Sequence, residues 1–116
     1  MKYLLMIYDD EQARHALPPA EREALHAGYI SLVKELGATY LGGAPLQATK
    51  AASSVRVRDG KTQITDGPFA ETREQLGGYF LIEAKTLAEA TAIAARMPGA
   101  KHGTIEVRPL APMPGD

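Results

Sequence analysis

Lys2-Tyr3-Leu4-Leu5-Met6-Ile7-Tyr8 is apolar at odd and even positions alike. Side chains alternate across a strand, so a strand with no polar side must be covered on both faces and lies inside a sheet. Tyr79-Phe80-Leu81-Ile82-Glu83 reads the same way. Between and beyond these two strands the pattern changes period. Pro18-Pro19 opens a helix, because proline is tolerated in a first turn, and Glu21 and Glu23 suit its positive end. Leu25, Tyr29, Leu32, Val33 and Leu36 form its apolar stripe, and Gly37 stops it. A second helix starts at Thr86, where Thr86-Leu87-Ala88-Glu89 has the capping-box pattern. Leu87, Ala90, Ile93, Ala94 and Met97 line one side, and Pro98-Gly99 ends it.

The remaining segments complete the order. Asp9 to Leu17 is polar and irregular, with room for a short helical turn. Thr39 to Leu41 starts a strand that is expected to break at Gly42-Gly43-Ala44-Pro45, and Gln47 to Ser54 reads as a loop. Val55 to Arg58 and Lys61 to Thr65 alternate around Asp59-Gly60, a hairpin with one solvated face. Thr104 to Arg108 is a last strand. The result is two strand-helix-strand units joined by an inserted hairpin. Right-handed crossovers place the first strand of each unit at the sheet centre, where the two doubly apolar strands belong. The fold class is therefore α+β, a ferredoxin-like sandwich with an inserted β-hairpin. Two helices cover one face only. The apolar residues left on the other face call for a second sheet, most simply from a second copy. Residues 1–110 form a single domain, and 111–116, part of a stretch with three prolines, form a loose tail.

Bulk composition narrows the function. The chain has 116 residues, 45% hydrophobic and 23% charged, with a formal net charge of -1. That is a soluble globular composition without the basic field that gathers nucleic acid. The absence of cysteine excludes disulfides and thiolate metal sites and fits a reducing cytoplasm. The N-terminal apolar run is too short for a membrane span and lacks a small-residue cleavage site, so neither a membrane anchor nor a signal peptide is expected. No histidine pair has ligand spacing, and neither Gly-Gly pair has the context of a phosphate loop, so no metal and no cofactor are implied.

The densest chemistry lies in "DGPFAETREQLGG", Asp66 to Gly78. Asp66 can fix an Asx-type turn, Gly67 admits a positive φ, Pro68 locks the next residue, and Phe69 is expected to anchor the loop by burial. Glu71, Arg73 and Glu74 follow, and Gly77-Gly78 lets a backbone or a ligand approach the central strand that begins at Tyr79. The segment reads either as a well-made corner with a solvated charge cluster or as a pocket wall offering charged groups to a small polar ligand. On the first helix His26 lies roughly 70° from the centre of the apolar stripe, half-buried and able to face a cleft, with Arg22 one turn before it. A histidine so placed can act as a general base near neutral pH. His15 falls in a loop, and His102, after Lys101, faces solvent.

"DGPFAETREQLGGYFLIEA" closely resembles the signature of the DGPF family within the YCII-related group, whose usual text is DGPFAETKE; here Arg73 stands for the lysine. That swap keeps the charge and changes the donor geometry. "MKYLLMIY", "VRVRDGK" and "EVRPL" are similar to the same family, so the resemblance spans nearly the whole chain. It implies a dimeric α+β barrel, two sheets closing around a shared interior. It also implies association with extracytoplasmic-function sigma factors, and a proposed acid-base pair of a first-helix histidine and a downstream aspartate. His26 matches the histidine. No Asp occurs between Gly37 and Ser54, where the family aspartate would fall, which leaves Asp66 as its replacement from another loop. Two functions remain open beside a third reading, a purely structural dimer whose signature loop locks the barrel. One is a cofactor-free isomerase- or lyase-like enzyme on a small polar or aromatic substrate. In it His26 and Asp66 are catalytic, Arg22, Arg73 and Tyr79 contact the ligand, and Glu71 or Glu74 orients Arg73. The other is a non-catalytic ligand-binding or regulatory homodimer working with a sigma factor.

Overall fold

The computed structural model describes residues 1–114. Strand β1 (Lys2–Asp9) is followed by a short helix α1 (Glu11–His15) and a long helix α2 (Pro19–Leu36). Then come β2 (Tyr40–Pro45), β3 (Ser53–Arg58), β4 (Lys61–Asp66), β5 (Gln75–Glu83), helix α3 (Leu87–Arg96) and β6 (Thr104–Pro109). The main sheet is antiparallel in the order β2-β5-β1-β6, and β3-β4 is a separate two-stranded sheet. The two strands that read as apolar on both sides are the two central ones, as their pattern requires. No helix among the described residues is long and apolar enough to cross a membrane.

Register shows what each face does. Tyr3 pairs with Ile82 and Leu5 with Phe80. These four are buried with Leu32 of α2 and Ala90 and Ala94 of α3 in one core. Phe80 is clamped edge-on by Tyr29 and Tyr40, with ring centroids 5.9 and 5.0 Å away, a favoured aromatic geometry. The alternate residues, Leu4 opposite Leu81 and Met6 opposite Tyr79, point to the other face and take no part in that core.

Several expectations are corrected. β2 runs through Gly42-Gly43-Ala44-Pro45 instead of breaking there, with a bulge between Tyr40 and Gly42. The glycines let the edge strand close on β5: a β-carbon at 43 would lie 2.4 Å from the Tyr79 carbonyl oxygen. β5 begins at Gln75, so Gly77-Gly78 lies inside the strand. Residues 47–54 contain a 3-10 turn at Thr49–Ala51 and the first residues of β3. Leu87 is exposed, because α3 turns its Ala90–Ala94 side to the sheet. Ala111 to Pro114 are exposed and form no helix or strand, and Gly115 and Asp116 lie outside the described residues.

The capping box at Thr86 forms in a stretched version. The Thr86 hydroxyl accepts from the Glu89 N–H at 3.1 Å, while the Glu89 carboxylate accepts from the Lys85 N–H at 2.8 Å. Thr86→Ala is expected to lower the unfolding free energy by about 1 kcal/mol, read as a lower urea midpoint at constant slope.

The hairpin β3-β4 projects as an arm. Every residue in it except Ser54 is exposed, and the radius of gyration is 16.2 Å, against about 13 Å for a compact chain of this length. Val55 pairs with Ile64 and Val57 with Thr62, which puts one apolar side on the arm, while Arg56 and Gln63 share the other.

Candidate functional site

A cleft of about 800 Å³ opens between α2 and the sheet. Its walls are largely apolar: Ile7, Leu25, Tyr29, Val33, Tyr40 and Phe80 all face it. One group of polar residues, Asp9, Asp10, Arg14 and His15, lies where β1 gives way to α1. Asp10 caps α1, its carboxylate accepting from the backbone N–H of Gln12 and Ala13 at 3.0 and 3.1 Å. That cap starts the helix two residues after Asp9, so Arg14, on its last turn, reaches back to the end of the strand. Arg14 Nε lies 2.8 Å from Asp9 Oδ2, with the two side chains only 27% and 13% exposed. The pair is incompletely satisfied. The Arg14 Nε–H is not directed along the contact, and neither it nor Asp9 Oδ1 has a hydrogen-bond partner among the described residues. Opposite them Gly77 carries no side chain; a β-carbon there would lie 3.3 Å from Arg14 Nη2 and 3.5 Å from Asp9 Oδ1. Glycine thus leaves both groups open to the cleft.

Tyr29 spans the floor, its hydroxyl accepting from the Gly99 N–H at 2.9 Å. Burial pushes the phenol above its ordinary pKa, so it stays protonated at neutral pH. His15, His26 and His102 line the cleft from α1, α2 and the turn before β6. His26 is more exposed than the half-burial its helical angle predicts, and His102 borders the cleft instead of pointing only to solvent.

The residues singled out from sequence fall in four places. His26 and Arg22 border the cleft together. Asp66 ends β4 on the exposed arm, paired in register with Ser53, and makes no side-chain hydrogen bond among the described residues. Arg73 lies in a separate polar depression with Asp10, Glu11, Gln12, Thr49, Thr72 and Gln75. It forms no ion pair with Glu71 or Glu74; Glu71 is exposed, and Glu74 instead accepts from the Thr104 hydroxyl at 2.9 Å. Tyr79 stands on the helix-free face of the sheet, 37% exposed. Within one subunit His26, Asp66 and Arg73 share no cavity. Phe69, expected to anchor the signature loop by burial, is 81% exposed.

The signature loop holds itself in other ways. Gly67 takes a φ of 91°, its N–H donates to the Ala52 carbonyl at 2.7 Å, and its own carbonyl accepts from the Ser54 hydroxyl at 2.8 Å. At the far end the Gln75 side chain accepts from the Glu11 N–H at 3.0 Å. The Glu11 carboxylate in turn accepts from the Thr49 hydroxyl at 2.6 Å and from its N–H. The Thr49 hydroxyl holds Glu11 below its ordinary pKa. The motif thus fixes α1, and α1 delivers Arg14 to Asp9.

Asp9 and Arg14 are the pair that sequence reasoning missed. One signal was present: Asp9 is the acid that ends a strand apolar on both faces, where a carboxylate is drawn into low dielectric and needs a partner. Its partner five residues on follows from the short helix, which the irregular pattern of Asp9 to Leu17 did not resolve.

A family model for the YCII-related domain matches residues 1–114. An uncharacterized protein of Rhizobium meliloti (strain 1021) is 38% identical over 115 residues, covering 96% of this chain and 93% of its own. Among solved structures, 5-chloro-2-hydroxyhydroquinone dehydrochlorinase from Burkholderia phenoliruptrix AC1100, in complex with 2,5-dihydroxybenzoquinone, superposes with a TM-score of 0.59. That match covers 96% of this chain and 94% of the other at 15% identity, a likeness of fold alone. The chain belongs to the YCII-related family.

Proposed function

We propose that this YCII-related protein is a cytoplasmic homodimer that binds a small polar or aromatic molecule in the cleft between α2 and the sheet. There it catalyses cofactor-free proton transfer of the isomerase or lyase kind, with His26 as the general base. The observation that carries this reading is the cleft itself. Its walls are largely apolar, and ionisable side chains, His26 among them, line it too, the usual make-up of a small-molecule site. A dehydrochlorinase removes a proton and a chloride from its substrate, and the fold shared with one supports this reaction class by analogy. The second copy is argued from the helix-free face of the sheet, where Leu4, Met6, Tyr79 and Leu81 form an apolar patch. Asp66 and Arg73 reach the reaction in this reading only when the partner's arm and loop bring them to the cleft.

The test is turnover of hydroxylated and halogenated ring compounds, beginning with 5-chloro-2-hydroxyhydroquinone. His26→Ala is expected to cost about 10²–10⁴-fold in rate, the usual contribution of a general base, with an unchanged melting curve because the residue is exposed. A mutant with wild-type rate removes His26 from the mechanism.

One observation favours the regulatory alternative, in which the dimer works with a sigma factor. The arm exposes Val55, Val57 and Ile64, with Phe69 just beyond it, a surface suited to a protein partner. Co-purification of the sigma factor by the wild-type protein, lost with Val57→Asp, would favour this reading over catalysis.

A further inference from the structure

We propose that Tyr29 donates its phenolic hydrogen to the carbonyl oxygen of an enolisable aromatic ketone held in the cleft. This rests on the small-molecule reading of the cleft and names the chemistry of what it takes. The hydroxyl is fixed from behind. Its oxygen accepts from the Gly99 N–H at 2.9 Å, and its ring meets Phe80 edge-on with centroids 5.9 Å apart. Gly99 is shaped for that contact: a β-carbon there would lie 2.5 Å from the Tyr29 hydroxyl oxygen and 3.2 Å from Ile7 Cγ2. A phenol both accepts and donates. Here the acceptor is used, while the hydrogen has no acceptor among the described residues, although the side chain lines the cleft. Burial keeps the phenol protonated at neutral pH, so what it presents is a donor, aimed by the Gly99 contact. The complement of a lone donor is an oxygen that accepts and has nothing to donate, as a carbonyl does. The ring of such a ligand is accommodated by Ile7, Val33 and Phe80, which line the same cleft. His26 stands three residues before Tyr29, one turn away on α2, and lines the cleft with it. When the imidazole takes a proton from the carbon beside the carbonyl, the C–H electron pair forms the enolate double bond. The carbonyl π pair moves onto oxygen, where the Tyr29 hydrogen bond meets the new charge. Return of the proton from the imidazolium to the same carbon restores the ketone, so no co-reactant is needed.

The experiment is titration of the full-length protein, ¹³C-labelled at the ζ-carbons of its five tyrosines, with acetophenone and with ethylbenzene, which has nearly the same shape and no oxygen. Acetophenone is expected to move the Tyr29 ζ-carbon resonance, and ethylbenzene to move it far less. Tyr29→Phe should weaken acetophenone roughly threefold to tenfold, the loss of one neutral hydrogen bond, and leave ethylbenzene unchanged. That variant also strands the Gly99 N–H, so the wild-type resonance, which involves no substitution, is the primary reading. A Tyr29 resonance that ignores acetophenone, or answers both compounds equally, would overturn the proposal. Deuterium uptake from heavy water into the acetophenone methyl group separates the donor from the base. Uptake should vanish with His26→Ala and slow about 10²-fold with Tyr29→Phe, the usual effect of removing one donor to a developing oxyanion. Uptake that needs His26 but ignores Tyr29→Phe would overturn the role of Tyr29 and leave the base in place. A Tyr29 shift specific to acetophenone, in a protein that exchanges no deuterium, would uphold the contact and remove only the proposed catalysis.

Discussion

Gly43→Ala is expected to destabilise the protein by roughly 3 kcal/mol or more, whereas Gly42→Ala, one residue away, should cost about 1 kcal/mol or less. The contrast is purely steric. At 43 a β-carbon would meet the Tyr79 carbonyl oxygen at 2.4 Å, the Tyr40 hydroxyl at 3.0 Å and Phe80 Cα at 3.2 Å. Two of these three are backbone atoms of the central strand, which cannot move without disturbing the β5-β1 ladder. At 42 nothing lies within 4 Å. Since total stability of such a domain is of order 5–15 kcal/mol, the first substitution takes a large share of it. The edge strand also carries Tyr40, which clamps Phe80, so displacing β2 loosens the cleft floor too. Urea unfolding of the two variants side by side decides the matter, and equal midpoints would show that β2 has room to move away from β5.

That same strand shows where sequence reading stops. The doubly apolar runs Lys2–Tyr8 and Tyr79–Glu83 fixed the sheet centre because burial on two faces leaves a composition no edge strand needs. The capping box at Thr86 was legible because its chemistry is local. The continuation of β2 through Gly42 and Gly43 was not, since glycine reads as a breaker until the neighbouring strand supplies the reason for it. Phe69 and Leu87 failed for a related reason: each is hydrophobic in a pattern that suggests burial, yet a single subunit offers neither a surface to cover it. The site divided along the same line. That His26 and Arg22 would border a cleft was legible because helical angle is a property of one segment. Asp9 with Arg14 depends on a five-residue helix hidden in an irregular segment, and the chain of hydrogen bonds from Gln75 through Glu11 to Thr49 depends on loops meeting across 38 to 64 residues of sequence, which periodicity does not encode.

The second large effect concerns assembly. Wild-type protein is expected to elute at about twice the 12.4 kDa chain mass, and Leu81→Glu at the monomer mass. Leu81 pairs with Leu4 at the middle of the two central strands and faces away from the helices. With Met6 and Tyr79 it forms an apolar patch outside the core cluster. A partner sheet packed there would bury these side chains at the centre of the interface, where an unpaired carboxylate loses its hydration without compensation. The expected penalty of about 3–5 kcal/mol corresponds to a weakening of the dimer by roughly 10²–10³-fold or more. Because Leu81 lies outside the core that holds the subunit together, the monomer should keep its far-ultraviolet circular dichroism and most of its stability. Val57→Asp on the arm provides the contrast: if it, and not Leu81→Glu, produced the monomer, the contact between copies would run through β3-β4 and the sheet face would be open to another partner. If neither change altered the elution of a dimeric wild type, both surfaces would be excluded as the interface. A monomeric wild type would reject the barrel outright, and with it any route by which Asp66 reaches a cleft, since in the isolated subunit the arm holds it away from His26.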